Sequence, residues 1–469
     1  MLNQNNNDSA VRLVVTAGMV LPDGSIIEQL AGNKLLLVAK DRMQIGASVD
    51  HNGSRYVPAP LDAYARVLHL PDEPAEHSSV GQLIQDIAAA IERNIDIDAQ
   101  SSLLVAVFVL CTWVADFLPL PPVLNLWGAA GAETALRDLL HCLCRRPLTL
   151  VDPSLRQLSQ LPQGLGPTIF LRQPSDAALR RLLSVSGDKE IFYGNGLLRM
   201  CSPIVVFTSQ PVSASALRLR LPSSSTTYRR IAQSEIKELR QIQRQLLKYR
   251  LSCYQQVAQS NFDAPGFCPE TRVIARILGA CAEGEESVQQ QIVAALQDQD
   301  EGAKVISSHS VEAVVLEALL VLIHEKRSHA FITEIKKLTE GILLARQQIT
   351  ARVDRDMGRM LREDLGLSTA RRGKGICLSL NVLVCAAIHR EAYARGVLTL
   401  LEPRPDCSYC NHLVADITAS TSDETSTTSG TPGIPSTPST PSTPDGNGSD
   451  SVATSDTNRT AEEGKEHGN

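Results

Sequence analysis

Apolar residues change their spacing several times along the chain, and each change predicts a different kind of structure. Residues 12–58 hold short β-branched runs, within VRLVV, KLLLVAK and SRYVP, separated by PDGS, GN and HNGS. Runs of this length between Gly, Asn and Asp clusters predict a small β-rich N-terminal unit over residues 1–60. The Pro-rich stretch PAPLDAYARVLHLPDEPAEH leads to a helical pair from about Val80 to Asp116, and PLPPV then breaks the helical pattern. From there VLNLW, a helix over 132–144, LTLVD, PTIFLR, a helix over 176–185 and SPIVVFTSQ follow one another. Such alternation predicts an α/β core with a mostly parallel sheet, and residues 80–222 are assigned to it.

Past Leu221 the pattern is helical to about Arg395, with 228–300 read as a helical region. Tyr228 to Arg250 carries Arg229, Arg230, Lys237, Arg240, Arg244, Lys248 and Arg250 against Glu235 and Glu238. Ile231, Ile236, Leu239, Ile242, Leu246 and Leu247 fall at helical spacing, so the charged side reads as a solvated helix surface. Val311–Arg327, Phe331–Arg346 and Val353–Leu365 read as three helices, followed by STARRGKGICLSL as a β-hairpin. Three helices and a hairpin predict a winged-helix DNA-binding module over 308–396, its last helix entering the major groove. Arg352, Arg355, Arg359 and Arg362 recur there at i, i+3, i+7 and i+10 and would line one helix face. The hairpin adds Arg371, Arg372 and Lys374. This stripe suits phosphates and guanine edges; the alternative is a surface on which Asp354, Asp356, Glu363 and Asp364 neutralise it. Residues 415–469, rich in Ser, Thr and Pro, have little to bury and are read as a disordered acidic tail.

Composition narrows the picture. The 469 residues are 43% hydrophobic and 20% charged, which is globular, and only 4% aromatic, which favours helices over an all-β fold. From Ile417 onward eight acids face only Arg459 and Lys465, so the tail carries the whole net charge of −6. The rest of the chain is balanced, and global charge selects no polyanionic partner. The polar start MLNQNNNDSA lacks signal-peptide character, and the apolar run Leu103–Val114 is too short to span a bilayer. Eleven cysteines, an odd number scattered among apolar positions, suit a reducing compartment. Together these predict a cytoplasmic protein with no membrane partner.

The chemistry-bearing stretch is LNLWGAAGAETALRDLLHCLCRRP, residues 124–147, a strand, a glycine turn and an amphipathic helix. That is the layout of a phosphate-binding loop, in which backbone amides cradle phosphates, a Lys reaches their oxygens and a Ser or Thr holds magnesium. A G-x-x-G before a helix is also simply a tight turn. With its flanks, however, the region from about 80 to 395 resembles P-loop ATPases of phages and mobile elements, of the helicase and replication-initiation type. Leu126-Trp127-Gly128 starts the match and Leu143-Cys144-Arg145-Arg146-Pro147 closes it. SPIVVFTSQP and Ala216-Leu217-Arg218-Leu219-Arg220 match the family's next strand and its arginine-bearing segment. Leu365-Gly366-Leu367, the basic hairpin and Ile388-His389 match its C-terminal module.

The match fails where that chemistry lives. Gly128 and Gly131 are kept, but Glu133 replaces the last glycine, Thr134 the lysine and Ala135 the hydroxyl. The strand Pro167–Gln173 carries Arg172 where the family has its magnesium-binding Asp, and Gln173 where it has Glu. A carboxylate beside the phosphates would repel ATP by roughly 1–4 kcal/mol per close charge pair. The resemblance therefore implies a degenerate P-loop NTPase-like core, a pseudoenzyme with no catalytic residues and no ATP or magnesium cofactor. Its implied function is non-catalytic, DNA binding or scaffolding, with DNA as partner and a homo- or hetero-oligomer open. The alternatives are an inactive ring subunit donating Arg218 or Arg220 in trans to a neighbour's nucleotide, or a decayed protein without activity. Finally, Cys407, Cys410 and His412 make half a zinc site. With no second pair at finger spacing, a closed site would need a distant ligand such as Cys377 or His389, and no metal is expected.

Overall fold

The seven N-terminal strands form two small sheets whose register is fixed by tight turns. They are β1 (Arg12–Thr16), β2 (Gly18–Val20), β3 (Ile26–Leu30), β4 (Lys34–Ala39), β5 (Arg42–Gly46), β6 (Val49–His51) and β7 (Ser54–Pro58). One sheet runs β1-β7-β6 and the other β2-β3-β4-β5. Between β6 and β7, Asn52 and Gly53 both take positive φ, 49° and 74°, as a two-residue hairpin turn demands. The computed structural model describes residues 11–411 apart from 41, 65, 129, 163, 187–190, 194–195, 199–200, 210, 212–215, 223–230, 309, 347–356, 374, 398–403 and 405. Arg229, Arg230, Arg352, Arg355, Lys374, His412 and the segment 415–469 thus lie outside the described residues, which all belong to the unit Met1–Ile417.

Two helices follow, α1 (Val80–Asn94) and α2 (Ala99–Val114), started by Ser79 and Asp98 side chains that accept the backbone N–H of Gln82 and Ser101. α2 is buried on every side, which explains its unbroken apolar run. Among the described residues no helix is long and apolar enough to cross a membrane. The α/β core then runs β8 (Val123–Gly128), α3 (Ala130–Leu143), β9 (Pro147–Leu150), α4 (Leu155–Ser159), β10 (Thr168–Arg172), α5 (Asp176–Ser186), the hairpin β11 (Ile191–Tyr193) and β12 (Gly196–Leu198), β13 (Ile204–Thr208) and β14 (Leu217–Leu221). Its five-stranded sheet is parallel throughout, in the order β14-β8-β13-β10-β9. The first strand therefore lies inside the sheet, and the loop after β8 opens beside the ends of β13 and β14.

Three long helices, α6 (Gln233–Gln259), α7 (Pro269–Cys281) and α8 (Glu286–Ser308), close one side. They pack with the regions 1–60 and 80–222 in one core. Leu36 of β4, Phe108 of α2, Leu126 of β8, Leu246 of α6 and Leu296 of α8 all belong to one hydrophobic core. A second core lies under α9 (Val311–His324), β15 (His329–Phe331), α10 (Ile332–Ala345), α11 (Met357–Arg359), β16 (Thr369–Arg372), β17 (Gly375–Ser379) and α12 (Val382–Ala394). Its sheet runs β15-β17-β16. The three-residue β15 is too short to leave a period in the sequence.

An ion cluster joins the N-terminal strands to the core. Glu28 of β3 is 2% exposed and accepts Nε and Nη2 of Arg145, both at 2.9 Å, and Nη2 of Arg146 at 2.8 Å. Arg250 of α6 lies 3.3 Å from Glu28 through Nε and clamps both oxygens of Asp116 at 2.7 Å. Arg146 also donates to the carbonyls of Ala17, Gly164 and Leu165. Part of the basic side of α6 is neutralised as well: Arg244 pairs with Asp72 at 2.5 Å and Lys248 with Glu76 at 2.6 Å. The acids of the Pro-rich stretch thus cover that face.

Burial works against ionisation of Glu28 and Asp116, but the arginines hold both carboxyls below their usual range, Asp116 at about 2. Groups with depressed folded pKa stabilise fully above their unfolded pKa, and that contribution fades as pH falls through the folded value. Urea denaturation should show stability declining from about pH 4.5 downwards. Glu28→Gln, which leaves Arg145 and Arg146 without their carboxylate, should lose about 3–5 kcal/mol at pH 7.

Candidate functional site

The glycine loop sits where β8 gives way to α3. Gly128 has φ 137°, and a Cβ there would lie 2.4 Å from the carbonyl oxygen of Leu221 on the neighbouring β14. Close approach of two parallel strands is thus enough to require this glycine. Gly131 and Thr134 fall in the first turns of α3. Glu133, also in the first turn, is buried and accepts Nε of Arg172 at 2.8 Å. Arg172 ends β10, two strands away across β13, and its side chain is 54% exposed. Below them Nδ2 of Asn125 in β8 donates to Oγ1 of Thr208 at the end of β13, 2.8 Å away.

This arrangement is electrically self-sufficient. A carboxylate in the first turn satisfies the positive end of the α3 dipole, as a bound anion otherwise would. The guanidinium in turn is occupied by that carboxylate.

Arg218 and Arg220 lie on β14, at the edge of the sheet. The Arg220 guanidinium stacks over the ring of Trp127, 5.3 Å from its centroid. The Arg218 backbone N–H donates to Oε1 of Gln299 in α8 at 3.0 Å. Both line a cavity of about 460 Å³ that also takes in Asp98 and Asp298.

The C-terminal basic residues divide into held and open ones. Arg359 pairs with Glu363 at 2.6 Å, and Nη1 of Arg362 donates to Oγ1 of Thr369 at 3.3 Å. Residues Met360–Asp364 form a π-helical turn, closed by Leu365 N–H donating to Met360 O at 3.1 Å. This corrects the expected stripe, because α-helical spacing does not continue through Arg362. Arg371 and Arg372 of β16 face Ile376 and Gly375 of β17 across the hairpin. Both are exposed, and neither has an ion pair among the described residues.

The cysteine pair finds company from elsewhere. Cys407 and Cys410 meet His324, at the end of α9, and His389, in α12. Cys377, one of the distant ligands considered, is buried in β17 outside this group. His324 carried no signal beyond its place at a helix end, since its partners are 65 and more residues away.

No family model matches this chain, and no curated protein matches it. Among solved structures it is similar to an apo form of the NrS-1 C-terminal region, at 11% identity and a TM-score of 0.31, covering 76% of this chain and 96% of that one. A second form of that region gives 15% and 0.29 with the same coverage. A structure of Drosophila ORC bound to DNA gives 12% and 0.18, covering 68% and 94%.

Gly128→Ala should destabilise the protein by more than about 1 kcal/mol, because the left-handed backbone and the Leu221 carbonyl both oppose a side chain. Glu133→Gln, which leaves a half-exposed arginine, should cost only about 0–1 kcal/mol. Chemical denaturation of both variants separates a structural glycine from an ion pair of small energetic weight.

Proposed function

We propose that this chain is a non-catalytic DNA-binding or scaffolding protein, built on a degenerate P-loop core and a winged-helix module. The observation that carries the DNA reading is the hairpin β16–β17, which presents two exposed arginines without an ion pair among the described residues, next in sequence to the turn bearing Arg359 and Arg362. Helix, strand, helix, helix and hairpin follow one another through α9, β15, α10, α11, β16 and β17, which is how a helix-turn-helix acquires a wing. Exposed guanidinium groups on a wing suit phosphate contacts, which position a protein on duplex without reading sequence. Arg352, Arg355 and Lys374 extend the same basic segment in sequence.

The non-catalytic half of the proposal rests on the Glu133–Arg172 pair. Phosphate binding at the loop needs positive charge presented by the helix side and a metal-binding acid at the strand end. Here the signs are exchanged and the two groups neutralise each other. Magnesium and ATP are not cofactors on this reading, and turnover is not its function. Arg220, stacked on Trp127 within its own chain, gives no specific support to action on a neighbour's nucleotide.

Fluorescence anisotropy of the full chain with a short duplex should show binding that weakens steeply with salt. Arg371→Glu combined with Arg372→Glu should lower affinity by at least about tenfold and reduce the slope of log affinity against log salt by about 2. Unchanged affinity and slope would remove the wing from the interface. Calorimetry with magnesium-ATP should register no heat of binding, and micromolar binding would refute the occupied-pocket account.

A further inference from the structure

Four side chains of metal-ligand chemistry converge at the base of the C-terminal module. Nε2 of His324 and Nε2 of His389 stand 3.4 Å apart. Sγ of Cys407 is 3.4 Å from His389 Nε2, and Sγ of Cys410 is 3.5 Å from His324 Nε2. All four atoms lie within 4.8 Å of one another. A tetrahedral zinc with bonds of about 2.0–2.1 Å to nitrogen and about 2.3 Å to sulfur sets the edges of its ligand shell at about 3.3 Å for N···N and about 3.5 Å for N···S. These three separations match those edges to within a few tenths of an ångström, and the others stay within 4.8 Å.

The surroundings fit a ligand set as well. His389 is 1% exposed and Cys410 is 2% exposed, so two of the four are closed off from solvent. Nδ1 of His389 donates to the Cys385 carbonyl at 2.8 Å, which places the ring proton there and leaves the Nε2 lone pair turned toward the other three ligands. The Tyr409 ring stands 5.3 Å from the His389 ring, roofing the group from the short Cys-Ser-Tyr-Cys turn.

We propose that His324, His389, Cys407 and Cys410 bind one structural zinc ion, fastening the segment around 404–411 to the first and last helices of the C-terminal module. Two thiolates with two imidazoles select zinc among abundant divalent ions, and four protein ligands leave no open position for a substrate. The ion holds together three parts of the chain, α9, α12 and the Cys-x-x-Cys turn, separated by up to 86 residues. This assignment is independent of the DNA reading and stands or falls separately from it.

Full-length protein purified without chelator should contain one zinc per chain by inductively coupled plasma mass spectrometry. Cobalt added to the chelator-stripped chain should give the intense visible bands of a tetrahedral site with thiolate charge transfer. The double variant Cys407→Ser, Cys410→Ser and the single variant His324→Ala should drop metal content to background. His324→Cys, which keeps a zinc ligand, should retain it, as should His412→Ala and the remote Cys142→Ser. Wild-type chain that holds no zinc and gives no tetrahedral cobalt spectrum would overturn the proposal, and needs no variant to fold. So would zinc that survives the double cysteine variant, or a site lost in His412→Ala and kept in His324→Ala. A Cys407–Cys410 disulfide, read as two thiols missing on titration, would also rule it out.

Discussion

Glu28 carries one negative charge into a place where three guanidinium groups are already buried. Removing such charges from water costs several kcal/mol per ion, and only dense reciprocal pairing offsets it. Arg145 and Arg146 come from the turn between α3 and β9, Arg250 from α6, and Asp116 from just beyond α2. Burying any one of these charges without its partners would cost several kcal/mol. The N-terminal strands, the parallel sheet and the long helices are therefore bound to one mutual arrangement. Trp113, whose ring N–H meets the Leu143 carbonyl at 2.9 Å, reinforces the same junction from α2.

That junction gives the Leu-Cys-Arg-Arg-Pro segment a function independent of nucleotide. Arg145 and Arg146 hold the fold, and Gly128 makes room for β14. Residues that resemble a nucleotide-binding loop are therefore kept in place by packing and buried charge alone. Glu133 and Arg172 pair with each other and take no part in that junction. The two sets of residues are held by forces of very different size. A half-exposed ion pair contributes about 1 kcal/mol or less, whereas breaking a buried cluster costs several.

Much of the local structure was legible in the sequence. The turn chemistry at Asn52-Gly53 and the apolar run of α2 follow from period and residue type alone. The alternation after Val123 marks a parallel sheet in the same way. The candidate site was less legible. Helical periodicity suggested an arginine stripe through Arg362, but five residues wind as a π-turn there, with Met360 and Leu361 buried in the module's core. Likewise α6 reads as basic from its own sequence, while the acids that neutralise it come from Asp72 and Glu76 on a distant segment.

What the sequence by itself determined is the set of elements and the chemistry each one carries. It specified a glycine turn lacking its lysine, a hairpin bearing arginines, and a cysteine pair short of ligands. Tertiary structure decided which of these meet. It set Arg172 against Glu133 across 39 residues, and it brought His324 and His389 to a Cys-x-x-Cys turn that lacked partners in its own neighbourhood. The reason is physical. Secondary structure follows from interactions within a few residues, whereas ion pairs and ligand sets depend on how strands and helices are ordered. Here that order was fixed by burying Glu28 among its arginines and apolar faces in two cores.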